Sequence, residues 1–275
     1  PPRHAGRRPP GRSAAASPGT PPPDGGGGGI FCYGADPLIS NSIIMQNSSS
    51  SIGGGLYCKA ASNPKLDNVI FDGNWSSHGG GAYLRNNSIG VFQNCVFKNN
   101  FTNGTGGAIS LRNNANILLN EVLITENICD YYGGGIYCNN ADPELNQVTI
   151  TENESESGGG IYCRNGSEPS LLNTIVWNNI GAEIYFRGNE DANAMTISYS
   201  NIQAGIAGVT TNDNADVDWL EGNIENDPLF CSANDGDFTL VENSPLYDRK
   251  WKKHHGNVDA GSRAWEPIGP CSRRH

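Results

Sequence analysis

The sequence contains no apolar run long enough to form a membrane-spanning helix or the core of a signal peptide. It also shows no sustained helical period of apolar residues, which argues against a bundle of helices. Because the chain starts with proline rather than methionine, we expect it to be a fragment or to lack its true start. The missing signal segment is therefore weak evidence against secretion.

Basic residues are also scarce. Lysine and arginine number 18 against 28 aspartates and glutamates, so the formal net charge is −10. A surface that binds nucleic acid would be basic, and we therefore expect no nucleic-acid partner. None of the eight cysteines forms a Cys-x-x-Cys pair, which argues against a metal site built on cysteine. We expect no cofactor.

Glycine, in contrast, is abundant, with 36 residues. Six glycine runs each precede a short apolar segment. The last glycines of these runs, at positions 29, 55, 81, 107, 135 and 160, are 26, 26, 26, 28 and 25 residues apart. No Gly-Lys-Ser/Thr sequence follows any run, so these are not phosphate-binding loops. A fixed period in the twenties predicts a repeat architecture.

The second half of each repeat alternates apolar and polar residues and ends at an asparagine. Alternation with period two predicts strands, and each repeat is too short for a strand–helix unit, which needs roughly 30 residues. We therefore predict short strands, one repeat per turn, stacked in parallel about 4.8 Å apart. The asparagines suit a tight turn and can bond their amides from turn to turn. This column comprises Asn47, Asn74, Asn100, Asn127, Asn153 and Asn179.

The strand after each glycine run supplies two alternating columns. The predicted inward column is Ile30, Leu56, Ala82, Ala108, Ile136 and Ile161. The other column is predicted to face outward or to lie near a corner, and it comprises Phe31, Tyr57, Tyr83, Tyr137 and Tyr162, interrupted by Ile109.

Two sequence elements resemble those of right-handed parallel β-helix repeat proteins over roughly residues 27–180. They are the strand pattern Gly-Gly-Gly-Ile/Leu-Tyr-Cys and the half-repeat Asn-Pro-x-Leu-x-Asn-Val-x-Phe-x-x-Asn. The glycine and Phe-x-x-Asn elements also resemble the repeats of polymorphic outer-membrane proteins. The later segments resemble the closing turns of secreted bacterial-type β-helix proteins, which often carry a C-terminal sorting or anchor segment. This chain departs from them with Ser244-Pro245-Leu246, where such proteins usually have Ser-Pro-Cys.

The resemblance and the repeat together predict an all-β protein, a right-handed three-sided parallel β-helix with an irregular C-terminal cap. Residues 1–26 are rich in Pro, Gly and Arg with almost nothing to bury, and we predict a disordered leader there. We assign residues 27–180 to the β-helix repeats and residues 181–275 to terminal irregular turns and the cap.

Four cysteines fall in one inward column, as the stacked pairs Cys32 with Cys58 and Cys138 with Cys163. Parallel Cβ vectors about 4.8 Å apart suit a disulfide poorly, so we predict buried free thiols that act as small apolar fillers. Cys231 and Cys271 lie in the irregular tail, where a disulfide between them would tie down the cap. That pairing is a candidate, with free thiols as the alternative.

No column of the repeats concentrates charged residues as a polysaccharide-cleaving site would require. A row of basic residues, Arg85, Arg112 and Arg164 with Lys59 in the equivalent place, could meet an acidic glycan or could pair with neighbouring carboxylates. The acidic segment with Asp213, Asp216, Asp218 and Glu221 lacks the EF-hand spacing and leaves only weak calcium binding open.

These patterns favour a secreted or cell-surface module with a structural, adhesive or carbohydrate-binding role, without a visible catalytic constellation. The partner would be a polysaccharide or a cell-surface glycan, and the oligomeric state stays open. The alternative is a polysaccharide lyase or epimerase that acts on acidic glycans; fold analogy alone cannot supply that activity. The predicted binding residues are Tyr57, Tyr83, Arg85, Arg112, Tyr137, Tyr162 and Arg164.

Overall fold

A computed structural model describes residues 26–246 of the chain. This part is a parallel β-solenoid of about seven turns, in which each strand pairs with the equivalent strand of the next turn. The predicted all-β parallel β-helix is thereby confirmed. The predicted leader, apart from residue 26, and the chain beyond residue 246 lie outside the described residues.

Sheet A forms the first face and contains the strands that follow the glycine runs. Its register aligns the tyrosines and the cysteines of successive turns, for example Tyr137 with Tyr162 and Cys138 with Cys163. Within the described range its eight strands stack in the order β1 (Ile30–Tyr33), β3 (Leu56–Lys59), β6 (Ala82–Arg85), β10 (Ile109–Arg112), β14 (Ile136–Asn139), β17 (Ile161–Arg164), β20 (Ile184–Phe186) and β23 (Val209–Thr210).

Sheet B forms the second face and consists of two columns, which the long strands β2 (Leu38–Met45) and β4 (Lys65–Asp72) join. The first column continues with β7 (Ile89–Gln93), β11 (Asn116–Asn120), β15 (Glu144–Asn146), β18 (Ser170–Leu172), β21 (Asn193–Ser198) and β24 (Ala215–Trp219). The second continues with β8 (Val96–Lys98), β12 (Leu123–Thr125), β16 (Thr149–Thr151), β19 (Ile175–Trp177) and β22 (Asn201–Ile202).

Sheet C forms the third face, with the strands β5 (Trp75–His78), β9 (Phe101–Thr105) and β13 (Ile128–Cys129). Two short 3-10 helices, Gly205–Gly208 and Ala233–Asp235, interrupt the later part of the described chain. The antiparallel pair β25 (Phe230–Ser232) and β26 (Asp237–Leu240) then folds back over sheet B. Its Phe238 is buried against Val96 and Leu123, so the cap lies along the side of the stack.

The turns close tightly at the glycine runs, and two positions show why glycine is required. Gly79 adopts φ +66°, a left-handed conformation that side chains with a Cβ rarely occupy. A Cβ on the next residue, Gly80, would lie 2.5 Å from the carbonyl oxygen of Gly107 in the following turn. Adjacent turns therefore approach each other at these corners more closely than a Cβ allows.

The register of the fourth turn corrects one sequence prediction. Ile109 pairs with Ala82 and with Ile136, so Ile109 and not Ala108 occupies the inward column. Ser110 consequently occupies the tyrosine position between Tyr83 and Tyr137. The prediction was wrong by one residue because this turn has an alanine where the others have a third glycine.

The asparagine ladder is present and fully hydrogen-bonded at its centre. The amide of Asn100 donates to Asn127 Oδ1 at 2.8 Å and to the carbonyl of Phe71 at 3.0 Å, while its own oxygen accepts from the backbone and side chain of Asn74. The left-handed residue of this turn is the one before each ladder asparagine, for example Asn99 at φ 55°. The asparagines are therefore selected for their amides, which leave no buried polar atom unpaired.

The ladder ends on a carboxylate. Glu183 accepts hydrogen bonds from the backbone and the side-chain amide of Asn179, at 3.1 and 2.6 Å. Its side chain is buried, and burial raises its pKa to about 7. The other end of the ladder, Asn47, is partly exposed.

The core is a continuous column of apolar side chains that runs the length of the solenoid. The cysteines of the turns belong to this interior, and Cys32, Cys58, Cys95, Cys129, Cys138 and Cys163 are buried free thiols, as predicted for the stacked pairs. The candidate disulfide between Cys231 and Cys271 involves a residue outside the described range. The domain division at residue 180 stays a prediction, and parallel pairing continues past it to Trp219.

Candidate functional site

The tyrosine column lies on the outer face of sheet A, away from the main core. Its side chains nevertheless have little contact with solvent: Tyr57, Tyr83, Tyr137 and Tyr162 are 0–4% exposed. Successive rings cover one another, and Tyr137 and Tyr162 stack with centroids 5.5 Å apart. A binding role for these four residues stays a prediction, and in this structure they form the floor of the face.

At the N-terminal end of this face, neighbouring residues seal the tyrosines. Ile52, which precedes a glycine run, packs against Tyr57 and Tyr83 in a small buried cluster. The space over the same ring is also occupied by the backbone of Gly26, where a Cβ would lie 2.6 Å from Tyr57. The face therefore has no accessible aromatic platform at Tyr57.

At the C-terminal end, the same face opens into a groove of about 930 Å³. Tyr132 and Tyr185 are partly exposed there and lie on either side of Tyr162, with ring centroids 4.8 and 5.3 Å from it. Ser157 stands in the position that Ile52 occupies at the other end, and it is too small to cover the rings. The groove therefore combines partly exposed aromatic rings with a polar rim of Glu156, Arg187, Asn189, Glu190, Asn212, Asp213 and Asn214.

The basic residues of this groove are paired. Arg164 binds Glu190 through both Nε, at 2.9 Å, and Nη2. Arg187 Nε approaches the same carboxylate at 3.1 Å. One carboxylate thus holds two guanidinium groups, and the further acids Glu156 and Asp213 line the groove. For Arg164, the structure therefore agrees with the second of the two alternatives from the sequence, in which the basic residues pair with neighbouring carboxylates and not with a glycan.

The remaining basic residues of the row lie over aromatic rings. The Lys59 amine is 5.3 to 5.9 Å from the ring centroids of three residues, Phe31, Tyr33 and Tyr57. The guanidinium of Arg85 is 5.5 Å from the Tyr57 centroid, and that of Arg112 is 5.0 Å from the Tyr137 centroid. These contacts are in the range of cation–π interactions, so the structure brings the predicted arginines and tyrosines together on one face.

Sequence reasoning missed part of the groove, namely Tyr132, Tyr185, Arg187 and Glu190. The segment Ile184-Tyr185-Phe186-Arg187 repeats the strand pattern of the previous turn, but Gly181-Ala182-Glu183 precedes it instead of three glycines. An alignment on the tyrosine and arginine positions alone would have found this turn. Tyr132 had no such signal, because its position holds a different residue in every turn.

The acidic segment does not form a close cluster. Across residues 26–246, no group of three or more His, Cys, Asp or Glu side chains is placed to hold a metal ion. Glu221 instead accepts a hydrogen bond from the hydroxyl of Tyr199 at 2.5 Å. Weak calcium binding by this segment stays a prediction.

Stacked parallel turns connected by an amide ladder define a parallel β-solenoid, and the groove lies on its side. Comparison with known families agrees: the model of the right-handed β-helix region matches residues 24–129, and the chlamydial polymorphic membrane protein repeat matches residues 121–139 and 147–164. The chain is a right-handed β-helix repeat protein. No curated protein and no solved structure was found to match it.

The family matches follow the structural repeat. Each matched polymorphic membrane protein segment runs from the second column of sheet B through a ladder asparagine to a strand of sheet A. The fold and these repeats are consistent with a surface-associated β-helix module. No helix within the described range is long and apolar enough to span a membrane.

Proposed function

We propose that this protein is a secreted or cell-surface module that binds glycan chains in the groove on the outer face of sheet A. The observation that carries the proposal is the pair of partly exposed rings, Tyr132 and Tyr185, on either side of Tyr162. Aromatic rings offer large, rigid, partly apolar faces, which suit the apolar face of a sugar ring, while the polar groups beside them fix its orientation.

The surroundings of the rings support the same role. The rim supplies amides from Asn189, Asn212 and Asn214 and the ion pair between Arg187 and Glu190, groups that can donate to and accept from sugar hydroxyls. The groove is lined by residues of successive turns, from Tyr132 to Asn214, so a glycan chain bound in it would contact several turns. Proteins with polymorphic membrane protein repeats are typical of bacterial surfaces, which supports the proposed location and an adhesive use of the same groove.

The test is a panel of neutral and acidic polysaccharides, with calcium present, in which both retention of the protein and fragmentation of the glycan are measured. We expect retention without fragmentation for at least one polymer. Fragmentation would instead establish a carbohydrate-active enzyme, and a separate assay of sugar configuration would detect an epimerase. Retention of no polymer would overturn the proposal.

The Tyr185→Ala variant locates the binding site. We expect it to weaken retention by about tenfold, equivalent to about 1.4 kcal/mol, because the exposed ring contributes most of the stacking area. The matched control is Tyr199→Ala, since Tyr199 is also a partly exposed tyrosine but lies at the sheet B corner. Equal weakening in both variants would argue against the groove.

A further inference from the structure

The tyrosine column is interrupted at one position, and the interruption holds a charged side chain. Ser110 replaces tyrosine between Tyr83 and Tyr137. Arg112 reaches across the face there, and its Nη2 donates to Thr105 Oγ1 at 2.9 Å. Its guanidinium also lies 5.0 Å from the Tyr137 ring centroid. The small serine thus leaves the space in which this arginine lies flat over the floor of the face.

The charge of Arg112 is not neutralised by any carboxylate within 4 Å among residues 26–246. Its Nε is buried and has no hydrogen-bond acceptor in that part of the chain. A buried donor without an acceptor destabilises the folded state, and a cation–π contact offsets part of that cost. Arg164 and Arg187, in the same row, share Glu190 instead.

Arg85, which pairs with Arg112 in the adjacent strand of sheet A, adds a second positive charge beside it, whereas the hydrogen-bonding neighbours of Arg112 are neutral. His78 Nδ1 lies 3.0 Å from Thr105 Oγ1, on the far side of the same hydroxyl. Burial and the nearby charge of Arg112 lower the pKa of His78 to about 4, so its ring is neutral at pH 7. Ser110, at 3.4 Å from Thr105 Oγ1, is neutral as well. The local electrostatic feature is therefore a cationic guanidinium held by neutral hydrogen-bonding groups, with a second arginine, Arg85, in the adjacent strand.

We propose that Arg112 is an anion-binding subsite that receives the carboxylate of a uronic acid unit in the bound glycan. Because Nε of Arg112 is buried, the edge formed by Nη1 and Nη2 would receive the carboxylate, an edge that can match it with two parallel hydrogen bonds, and Arg112 is partly exposed on the face that carries the groove. This inference rests on the proposed glycan-binding function and specifies the glycan's chemistry.

The charge distribution also specifies the spacing of the carboxylates. Arg112 lies three turns from Tyr185 in sheet A, about 14 Å at roughly 4.8 Å per turn. At Tyr185 the groove carries three acids, Glu156, Glu190 and Asp213, against two arginines. A carboxylate is favoured at Arg112 and disfavoured in the groove. The fitting ligand therefore combines acidic and neutral sugar units, and an alternating chain is the simplest such ligand.

The experiment compares a hyaluronan hexasaccharide, which alternates glucuronate with a neutral sugar, with the same hexasaccharide after methyl esterification. Binding is measured by calorimetry at low salt for the wild type and the variants Arg112→Gln, Arg112→Lys and Lys98→Gln. Lys98 is the charge-matched control, because it pairs with Asp72 on sheet B. Thermal unfolding of each variant checks that it is folded.

We expect the wild type to prefer the acidic form by about tenfold, Arg112→Gln to lose the preference, and Lys98→Gln to keep it. Arg112→Lys should keep part of it, because the charge remains but the fork is lost. Equal binding of the two forms by the wild type, or an unchanged preference in Arg112→Gln, would overturn the subsite.

A second measurement separates this subsite from the groove. The Nε–H signal of Arg112, assigned by its loss in Arg112→Gln, is followed by NMR during titration with sodium glucuronate and with its methyl ester. The subsite would be supported if the signal shifts with glucuronate but not with its methyl ester, and if this shift persists in Tyr185→Ala. This result would hold even if no glycan binds in the groove. No shift with glucuronate would overturn the subsite, whereas retention of neutral glycans would still support the proposed function.

Discussion

The two ends of the outer face of sheet A are built from the same repeat but present different surfaces. At the N-terminal end, Ile52 packs against the buried Tyr57, while Phe31 at the start of the column is exposed. At the C-terminal end, the equivalent Ser157 leaves an open groove beside Tyr162 and Tyr185. The repeat therefore sets the position of the rings, whereas the residues that pack around them differ between the two ends of the face.

The basic residues of the outer face of sheet A also have different partners at the two ends. Lys59, Arg85 and Arg112 lie over aromatic rings towards the N-terminal end. Towards the C-terminal end, Glu190 pairs with both Arg164 and Arg187. A single acidic residue in a late turn thus changes the electrostatic character of a row that the sequence presents as uniform.

The largest expected effects concern buried groups, beginning with the asparagine ladder that supports both ends. Asn100→Ala should lower the free energy of unfolding by about 3 kcal/mol or more, because it orphans the Phe71 carbonyl and two donors of Asn74, each at about 1–3 kcal/mol. Urea unfolding measures the change. The control is the exposed Asn103→Ala, expected within about 0.5 kcal/mol of the wild type. Equal stability of the two variants would contradict a structural ladder.

The next prediction separates sealed from accessible tyrosines. Tyr57→Ala should cost about 3–5 kcal/mol of stability, as for other buried aromatic residues, because Tyr57 has no exposed surface. Tyr185→Ala should cost clearly less, since its ring is partly exposed, while it weakens glycan retention. A larger loss of stability in Tyr185→Ala than in Tyr57→Ala would contradict our assignment of Tyr57 to the buried floor and of Tyr185 to the groove.

The third prediction concerns the end of the ladder at Glu183. Its folded pKa of about 7 exceeds its ordinary value of 4.5, so between these values the folded state binds more protons than the unfolded chain. The contribution of Glu183 to the free energy of unfolding should therefore fall as the pH rises from about 4.5 to about 7, by on the order of 2–3 kcal/mol. His78 acts in the opposite sense, because its folded pKa of about 4 lies below its ordinary value of 6.5, so the contribution of Glu183 is read from the difference between the wild type and Glu183→Gln. Urea unfolding at pH 5 and pH 8 measures the change.

Variants at two glutamates identify the source of this pH dependence. In Glu183→Gln the fall in stability between pH 5 and pH 8 should be reduced, because the titrating group is gone. Glu144→Gln should show the wild-type fall, since Glu144 is exposed. An identical pH dependence in the wild type and Glu183→Gln would mean that the ladder end does not titrate in this range.

The smallest expected effect comes from exchanging Ile52 and Ser157, the residues that precede the glycine runs at the two ends of the face. Ser157→Ile should place an apolar side chain beside Tyr162 and reduce glycan retention by about tenfold, or 1.4 kcal/mol, with little change in thermal unfolding. The reciprocal variant Ile52→Ser should expose Tyr57 without a matching loss of retention. Unchanged retention in Ser157→Ile would show that this position does not control access.

Much of the fold could be predicted because the same strand pattern recurs in successive repeats, so each strand position is indicated several times. The register of the fourth turn could not, since Thr105-Gly106-Gly107-Ala108-Ile109 aligns equally well on its glycines or on its apolar residues. Only the pairing of Ile109 with Ala82 decides between them. The groove was also missed, because Tyr132 stands at a position that holds a different residue in every turn and Glu190 lies outside the repeated strands.

The sequence by itself determined the architecture. It places glycines at the corners, alternating strands between them and an asparagine in every turn. A parallel solenoid is the arrangement that pairs the backbone of such a chain and buries its apolar columns. The tertiary structure decided which outward residues are accessible and which charges are compensated. Three features arise from contacts between turns and flanking segments: the burial of Tyr57, the sharing of Glu190 by two arginines, and the position of Arg112, which pairs with no carboxylate among residues 26–246. Such contacts depend on side-chain direction and reach in three dimensions, and the period of the repeat does not encode them.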